Sequence, residues 1–241
     1  MWPFSKPDTL EESGMFKGMT DWHSHILPGV DDGIRTIEDS LAVLEQYDLW
    51  GVEEVWLTPH IMEDYPNTPE HLRKVFEELS EAWKGNVKLH LAAEHMMDAL
   101  FEERLAKGEV MPLGKNGEYL LVETSYFNPP MNMEEILDNV KRAGYFPLLA
   151  HPERYRYMSE KDYEKLREKD IRFQVNFNSL VGGYGETAKK KGEWFMRKGW
   201  IEAIGSDVHR LKSLQTLAGR HPSKKGIVGT LVEIASNPKI G

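Results

Sequence analysis

The feature that most limits what this chain can fold into is a repeated alternation. Short apolar runs rich in Val, Leu and aromatic residues are followed each time by a stretch of helical periodicity. Strands are predicted at about 19–23, 52–58, 87–93, 118–123, 146–150, 171–176 and 200–205. Helices are predicted near 36–50, 68–84, 97–107, 132–144, 159–169 and 185–199, with two more after 210. Strands separated by helices must run parallel, because each helix carries the chain back to the starting edge. Starts carry their own signals at Thr36 with Asp39, Thr68 with Pro69, and Ser159 with Asp162. Stops are expected at Gly51, Gly85, Gly108, Gly144 and Gly199.

Seven strands in strict alternation, with no Pro/Gly/Ser linker between them, fit a single closed or nearly closed β/α barrel of about 19–241. A doubly wound open sheet competes, but no glycine-rich dinucleotide fingerprint follows the first strand. Residues 1–18, with two Pro and two Gly, read as a loosely ordered lead-in in which Trp2 and Phe4 staple onto the core.

Composition removes whole classes of function. The 241 residues contain no cysteine, so thiolate catalysis, Cys-ligated zinc and iron–sulfur clusters are excluded. With 30 basic against 39 acidic side chains the formal charge is −9, which argues against nucleic-acid partners. Lys189–Lys191 reads as a solvated helix face. No apolar run nears the roughly 20 residues of a membrane span, so no membrane insertion and a cytoplasmic location are expected.

In a β/α barrel the strand ends build the site. Here they read Asp21-Trp-His23-Ser-His25, Thr58-Pro-His60, Ala93-Glu94, Val122-Glu123-Thr124, Ala150-His151-Pro-Glu153-Arg154, Asn176-Phe-Asn178 and Gly205-Ser-Asp207-Val-His209. Residues two apart on a strand share a face, so His23 with His25, and Asp207 with His209, can reach one ion. Asp31-Asp32-Gly33 adds a carboxylate on a tight turn. Five His and four carboxylates, counting Asp32, exceed the ligand set of one catalytic metal and imply two or three. His71 and His221 read as surface residues, His90 as mid-strand, and His95 as a packed neighbour of Glu94. Tyr65, Tyr126, Phe127, Tyr155 and Tyr157 are candidates for an aromatic wall around the mouth.

HSH, VDDG, TPH, the AE after the third strand, VET, AHPERY and SDVH together resemble the PHP (polymerase and histidinol phosphatase) superfamily, in its bacterial branch of metal-dependent protein-tyrosine phosphatases linked to capsule and exopolysaccharide synthesis. The resemblance spans about residues 19–215. It implies an α/β PHP fold, a distorted (β/α)7 TIM-like barrel holding three divalent metal ions. The first metal would take His23, His25, Glu94 and Asp207; the second His60, Glu94 and His151; the third Asp32, Glu123 and His209. Imidazole and carboxylate ligands without sulfur suit manganese, with iron or zinc as alternatives. Arg154 would grip the phosphate, as the arginine after AH-x-E does in this branch. After SDVH this chain departs from the family pattern, and Arg210 or Lys212 would supply the second cationic contact, with Asn176 or Asn178 as a further substrate contact.

The implied reaction is hydrolysis of phosphotyrosine in a protein, a bacterial tyrosine kinase being the expected partner, by in-line attack of a metal-activated water without a phosphoenzyme. A small-molecule phosphatase, such as a histidinol-phosphate phosphatase, and a non-catalytic phosphopeptide-binding module are the competing readings.

Overall fold

In a computed structural model the described residues are 9–222, 225–236 and 239–240, without the side chains of 225–227 and 236. Trp2 and Phe4 lie outside them. The order is β1 (Thr20–Ser24), α1 (Ile37–Trp50), β2 (Glu54–Leu57), β3 (His60–Ile61), α2 (Pro69–Ala82), β4 (Lys88–Leu91), β5 (Glu94–Met96), α3 (Phe101–Lys107) and β6 (Tyr119–Glu123), followed by α4 (Met133–Arg142) and β7 (Phe146–Leu149). A 3-10 turn (Pro152–Arg154) precedes α5 (Glu160–Glu168), β8 (Arg172–Asn176), α6 (Phe177–Leu180), α7 (Glu186–Lys198), β9 (Ala203–Gly205), α8 (Leu211–Ala218) and α9 (Lys225–Ser236).

Every strand pairing is parallel, as the crossovers require. One sheet runs β1-β2-β4 and the other β3-β5-β6-β7-β8-β9. The expected second and third strands form as β2 and β4, and past the breaks at Thr58-Pro59 and Ala92-Ala93 each is followed by a short strand that was not expected, β3 and β5, which joins the larger sheet. The breaks aim His60 and Glu94 at the site from strands of their own. At the mouth the curl comes round to β1: Asp207 N–H donates to His23 O at 2.8 Å and His25 N–H to Val208 O at 3.0 Å. Gly205 permits this approach, since a Cβ there would stand 2.4 Å from His23 Cβ.

The helices pack their apolar stripes against the strands, and the larger core includes Val43, Tyr47, Leu72, Leu120, Leu149 and Phe173. A second cluster takes Trp22, Trp56, Leu121, Leu148 and Ala203 from β1, β2, β6, β7 and β9, and Ile240 joins it. Thr36 and Thr68 cap α1 and α2 as expected, and Ser159 with Asp162 forms a capping box on α5.

Three local expectations are corrected. Gly85 ends no helix, because α2 stops at Ala82 with an extended Trp83 as its cap. Residues 9–18 are not a loose lead-in: Leu10, Met15 and Phe16 are buried, and Leu10 and Glu11 donate to Arg220 O and Ala218 O. Lys191 is no solvated member of its run, for its ammonium donates to Met158 O at 2.8 Å and also reaches Tyr155 O and Tyr163 Oη. It ties α7 to the loop that carries Arg154.

Candidate metal centre

The nine predicted ligands converge on one mouth. Glu94, opening β5, stands at the centre: its Oε2 lies 3.2 Å from His23 Nε2, 3.3 Å from His25 Nε2 and 3.2 Å from His60 Nδ1, and its Oε1 lies 2.9 Å from His151 Nε2. Asp207 Oδ1 approaches His25 Nε2 at 3.5 Å and His209 Nδ1 at 3.6 Å. The ligand atoms form four overlapping groups: His23, His25 and Asp207; His23, Glu94 and His151; His60, Glu94 and Glu123; and His25, Asp32, His60 and His209.

This partition differs from the expected one at Glu123. Its Oε1 sits 3.1 Å from His60 Nδ1, whereas Asp32 and His209 face each other at 3.4 Å. Nor does strand alternation place Asp207 and His209. Both lie beyond β9, and Asp207 is turned by a left-handed backbone (φ 53°). His151, just past β7, is left-handed too (φ 32°). Two of the three described non-glycine residues with positive φ are therefore ligand candidates, and such strain gathers at functional sites.

Tautomers show what the cluster lacks. His25 Nδ1 lies 2.7 Å from Asp31 Oδ2, and an ionised carboxylate can only accept, so Nδ1 carries the proton. His23 Nδ1 faces Gln174 Oε1 at 2.9 Å, with the same consequence. In the neutral rings the two Nε2 atoms, 3.1 Å apart, then present lone pairs to each other and to Glu94. Both Glu94 oxygens, Glu123 Oε1, His60 Nδ1 and His151 Nδ1 are buried without a hydrogen-bond partner among the described residues. Buried acceptors facing one another need a shared cation.

Without metal that demand falls on protons. Burial opposes a charged His23, yet Glu94 and Asp207 beside it push its pKa up to about 9. Burial likewise opposes ionisation of Glu94 and Asp207, and the surrounding histidines, His23 first, still hold both below the usual carboxylate range. The donor set, nitrogen and oxygen with unsatisfied atoms pointing inward, therefore fits divalent metal ions.

The Ala-His-Pro-Glu-Arg segment divides its labour. His151 points to the ligand cluster, and buried Glu153 accepts from Asn176 N–H at 3.0 Å and Ser179 Oγ at 2.6 Å, pinning the turn to β8 and α6. Arg154 donates through NH1 to Asp207 Oδ2 at 2.7 Å and lies between the rings of Tyr126 and Tyr184, each 4.3 Å from its guanidinium carbon. It opens on a cleft of about 550 Å³ lined also by Phe127, Arg156 and Thr187.

Arg210 is not brought to Arg154. It caps α8 in a separate cleft of about 240 Å³ beside His209, Arg35 and Asp39. Asn176, not Asn178, reaches the cluster: its Nδ2 donates to Asp207 Oδ2 at 2.8 Å, whereas Asn178 packs against Gly183. Among the aromatics, Tyr126 is at the mouth and Tyr65 stacks 6.1 Å from His60, while Tyr155 belongs to the core, fully buried with its hydroxyl accepting from Thr124 N–H. His95 is packed as expected, between Leu121 O and Met111 N–H.

Sequence reasoning missed Asp31, Gln174 and Tyr184. Gln174 alternates with Asn176 on a strand otherwise apolar at Phe173 and Val175, and polar side chains at two such positions are a legible signal. Asp31 was masked by its neighbour Asp32, since both carboxylates fit a ligand role.

Comparison with known proteins bears on this geometry. The family described as "Capsular polysaccharide synthesis, CpsB/CapC" matches residues 19–220. The chain belongs to that family. Tyrosine-protein phosphatase YwqE of Bacillus subtilis (strain 168) is 29% identical over 201 residues, covering 81% of this chain and 79% of that protein. Tyrosine-protein phosphatase CpsB of Streptococcus pneumoniae is 30% identical over 210 residues, covering 81% and 84%. A chain from the crystal structures of these two proteins, described as unique metal-dependent tyrosine phosphatases, superposes with a TM-score of 0.74 at 25% identity and covers 90% of this chain and 94% of its own length. The curled parallel sheet with outer helices is thus the architecture of this CpsB/CapC member.

Proposed function

We propose that this CpsB/CapC protein is a metal-dependent phosphoric monoester hydrolase that removes phosphate from phosphotyrosine in proteins. One observation carries the reading most directly: a buried cluster of unsatisfied imidazole and carboxylate atoms stands beside an arginine held at the open edge of a cleft. The names of YwqE and CpsB agree with it. We take the barrel as a distorted (β/α)7 PHP domain from residue 19 onward.

His23, His25, Asp32, His60, Glu94, Glu123, His151, Asp207 and His209, which fall in the clustered groups able to hold a metal, would hold three divalent ions, manganese before iron or zinc. When bound, such ions lower the pKa of water towards about 7 and neutralise phosphoryl oxygens. The chain's own residues do the rest. Glu94, within 3.3 Å of four histidine nitrogens, would be shared between neighbouring ions. Asp31 and Gln174 hold Nδ1–H of His25 and His23, so that each Nε2 points inward. Arg154, anchored by Asp207, offers its remaining N–H donors to the non-bridging oxygens of the phosphoryl group. A phenol leaves with a pKa of about 10, so this site needs no strong general acid.

The partner is a phosphorylated bacterial tyrosine kinase acting in capsule or exopolysaccharide synthesis, met in the cytoplasm; no described helix is long and apolar enough to cross a membrane. Manganese-reconstituted protein is assayed on phosphotyrosine and phosphoserine peptides of one sequence and on histidinol phosphate, with His151→Ala as blank. Preference for phosphotyrosine, lost in the variant, is the expected result. Turnover of histidinol phosphate alone moves the substrate to small molecules, and phosphopeptide binding without turnover makes the protein a binding module.

A further inference from the structure

The turn between α6 and α7, Val181-Gly182-Gly183-Tyr184-Gly185, is not needed to hold any ligand of the metal cluster. It nevertheless delivers one aromatic side chain to Arg154. Tyr184 is 37% exposed and lines the Arg154 cleft, and its ring centroid lies 4.3 Å from the guanidinium carbon. Tyr126 sits at the same distance. Two rings that near cannot occupy one side of a single guanidinium, so the cation is held between them.

Its backbone and packing fix the turn in this placement. Gly182 and Gly185 take left-handed φ of 82° and 89°, and a Cβ on Gly183 would stand 1.7 Å from Asn178 Oδ1. With a ring on either side of its guanidinium carbon and NH1 tied to Asp207, Arg154 has its remaining N–H donors for a ligand. An oxyanion meets these donors in plane, and whatever the oxyanion is esterified to must then run out along Tyr184 and, further on, Phe127, which is 59% exposed. A flat ring can stack there, and a short alkyl chain leaves the wall unused.

We propose that Tyr184 is a specificity-determining residue: it positions Arg154 edge-on and supplies the wall that selects aryl over alkyl phosphate monoesters. The inference rests on the phosphatase reading and adds to it the residue that discriminates between leaving groups.

The test uses manganese-loaded full-length protein, its Tyr184→Ala and Tyr184→Phe variants, phosphotyrosine and phosphoserine peptides of one sequence, and inorganic phosphate as inhibitor. Loss of a cation–π contact and a stacking wall corresponds to about a 2- to 30-fold change. Tyr184→Ala is expected to raise KM for phosphotyrosine by that factor with a smaller change in kcat, to narrow the phosphotyrosine/phosphoserine ratio, and to weaken phosphate inhibition; Tyr184→Phe keeps wild-type values, and metal content is unchanged in both. Unchanged KM, ratio and phosphate inhibition in Tyr184→Ala overturn the inference while the phosphatase reading stands. The inference also falls if Tyr184→Phe behaves as Tyr184→Ala. If wild-type protein hydrolyses neither peptide, the phosphatase reading fails. Phosphate binding measured directly on the three proteins then decides whether Tyr184 positions Arg154.

Discussion

Replacing Asp31 by Asn should weaken metal binding although Asp31 touches no metal position. Asp31 Oδ2 accepts from His25 Nδ1 at 2.7 Å and His60 N–H at 3.0 Å, and Oδ1 accepts from Gly33 N–H at 2.9 Å. Its carboxyl is held well below the usual range: burial opposes ionisation, but His25 and His60 beside it prevail. An asparagine has one oxygen. If that oxygen keeps His25 and His60, the new NH2 faces the Gly33 N–H, and if it turns, NH2 faces His25 and favours the tautomer whose Nε2 carries a proton. Either way a buried donor meets a donor, which costs about 1–3 kcal/mol. Losing the charge of the bond to His25 adds about 1 kcal/mol. The expected sum, about 2–4 kcal/mol, corresponds to a fall in metal affinity of about 30- to 900-fold, whose lower part overlaps the range for groups that orient metal-bound histidines. Competition of Asp31→Asn and wild-type protein against a fluorescent chelator for Mn²⁺ measures it directly. Affinity within twofold of wild type would refute the claim that Asp31 sets the His25 tautomer.

Other consequences follow from the same contacts. In metal-stripped protein His23 holds a proton with its pKa raised from 6.5 to about 9, the attraction of Glu94 outweighing burial, so the stability this lends is full below pH 6.5 and is lost as pH rises through about 9; urea unfolding at about pH 6 and 9.5 should show that loss in stripped protein and little of it in loaded protein. Arg154→Lys removes the planar fork while keeping the charge, and kcat/KM for phosphotyrosine should fall about 100-fold in steady-state assays with metal content unchanged. Gly205→Ala sets a Cβ 2.4 Å from His23 Cβ and should destabilise the protein by about 1–3 kcal/mol in denaturant unfolding. Lys191→Met leaves Met158 O and Tyr155 O without their donor, and a loss of about 1–3 kcal/mol with a raised KM is expected, because that loop carries Arg154.

The parallel α/β architecture was legible because crossover helices permit little else, and the clustering of candidate metal-binding side chains because six of the seven strand ends carried His, Asp or Glu. What the sequence hid is local and physical. The short strands β3 and β5, beyond Thr58-Pro59 and Ala92-Ala93, were hidden because two or three residues carry no periodicity and do not reveal which sheet they pair with. That Glu123 stands against His60, while Asp32 and His209 face each other, depends on how far each strand end reaches, and spacing does not encode that. The left-handed backbone at Asp207, beyond the end of β9, breaks the alternation rule that had paired it with His209. Lys191 shows the limit of composition: a triple-lysine run looks solvated until one ammonium meets two carbonyls of a loop folded against its helix.

The most direct measurement follows phosphotyrosine-peptide hydrolysis as Mn²⁺ is added back, in counted equivalents, to protein stripped by chelation. The account predicts negligible turnover in stripped protein, rising with bound metal to a plateau as the strand-end positions fill, and no such rise in Glu94→Gln, whose carboxylate touches four of the histidines. Turnover that survives stripping, or that returns fully in Glu94→Gln, would contradict it.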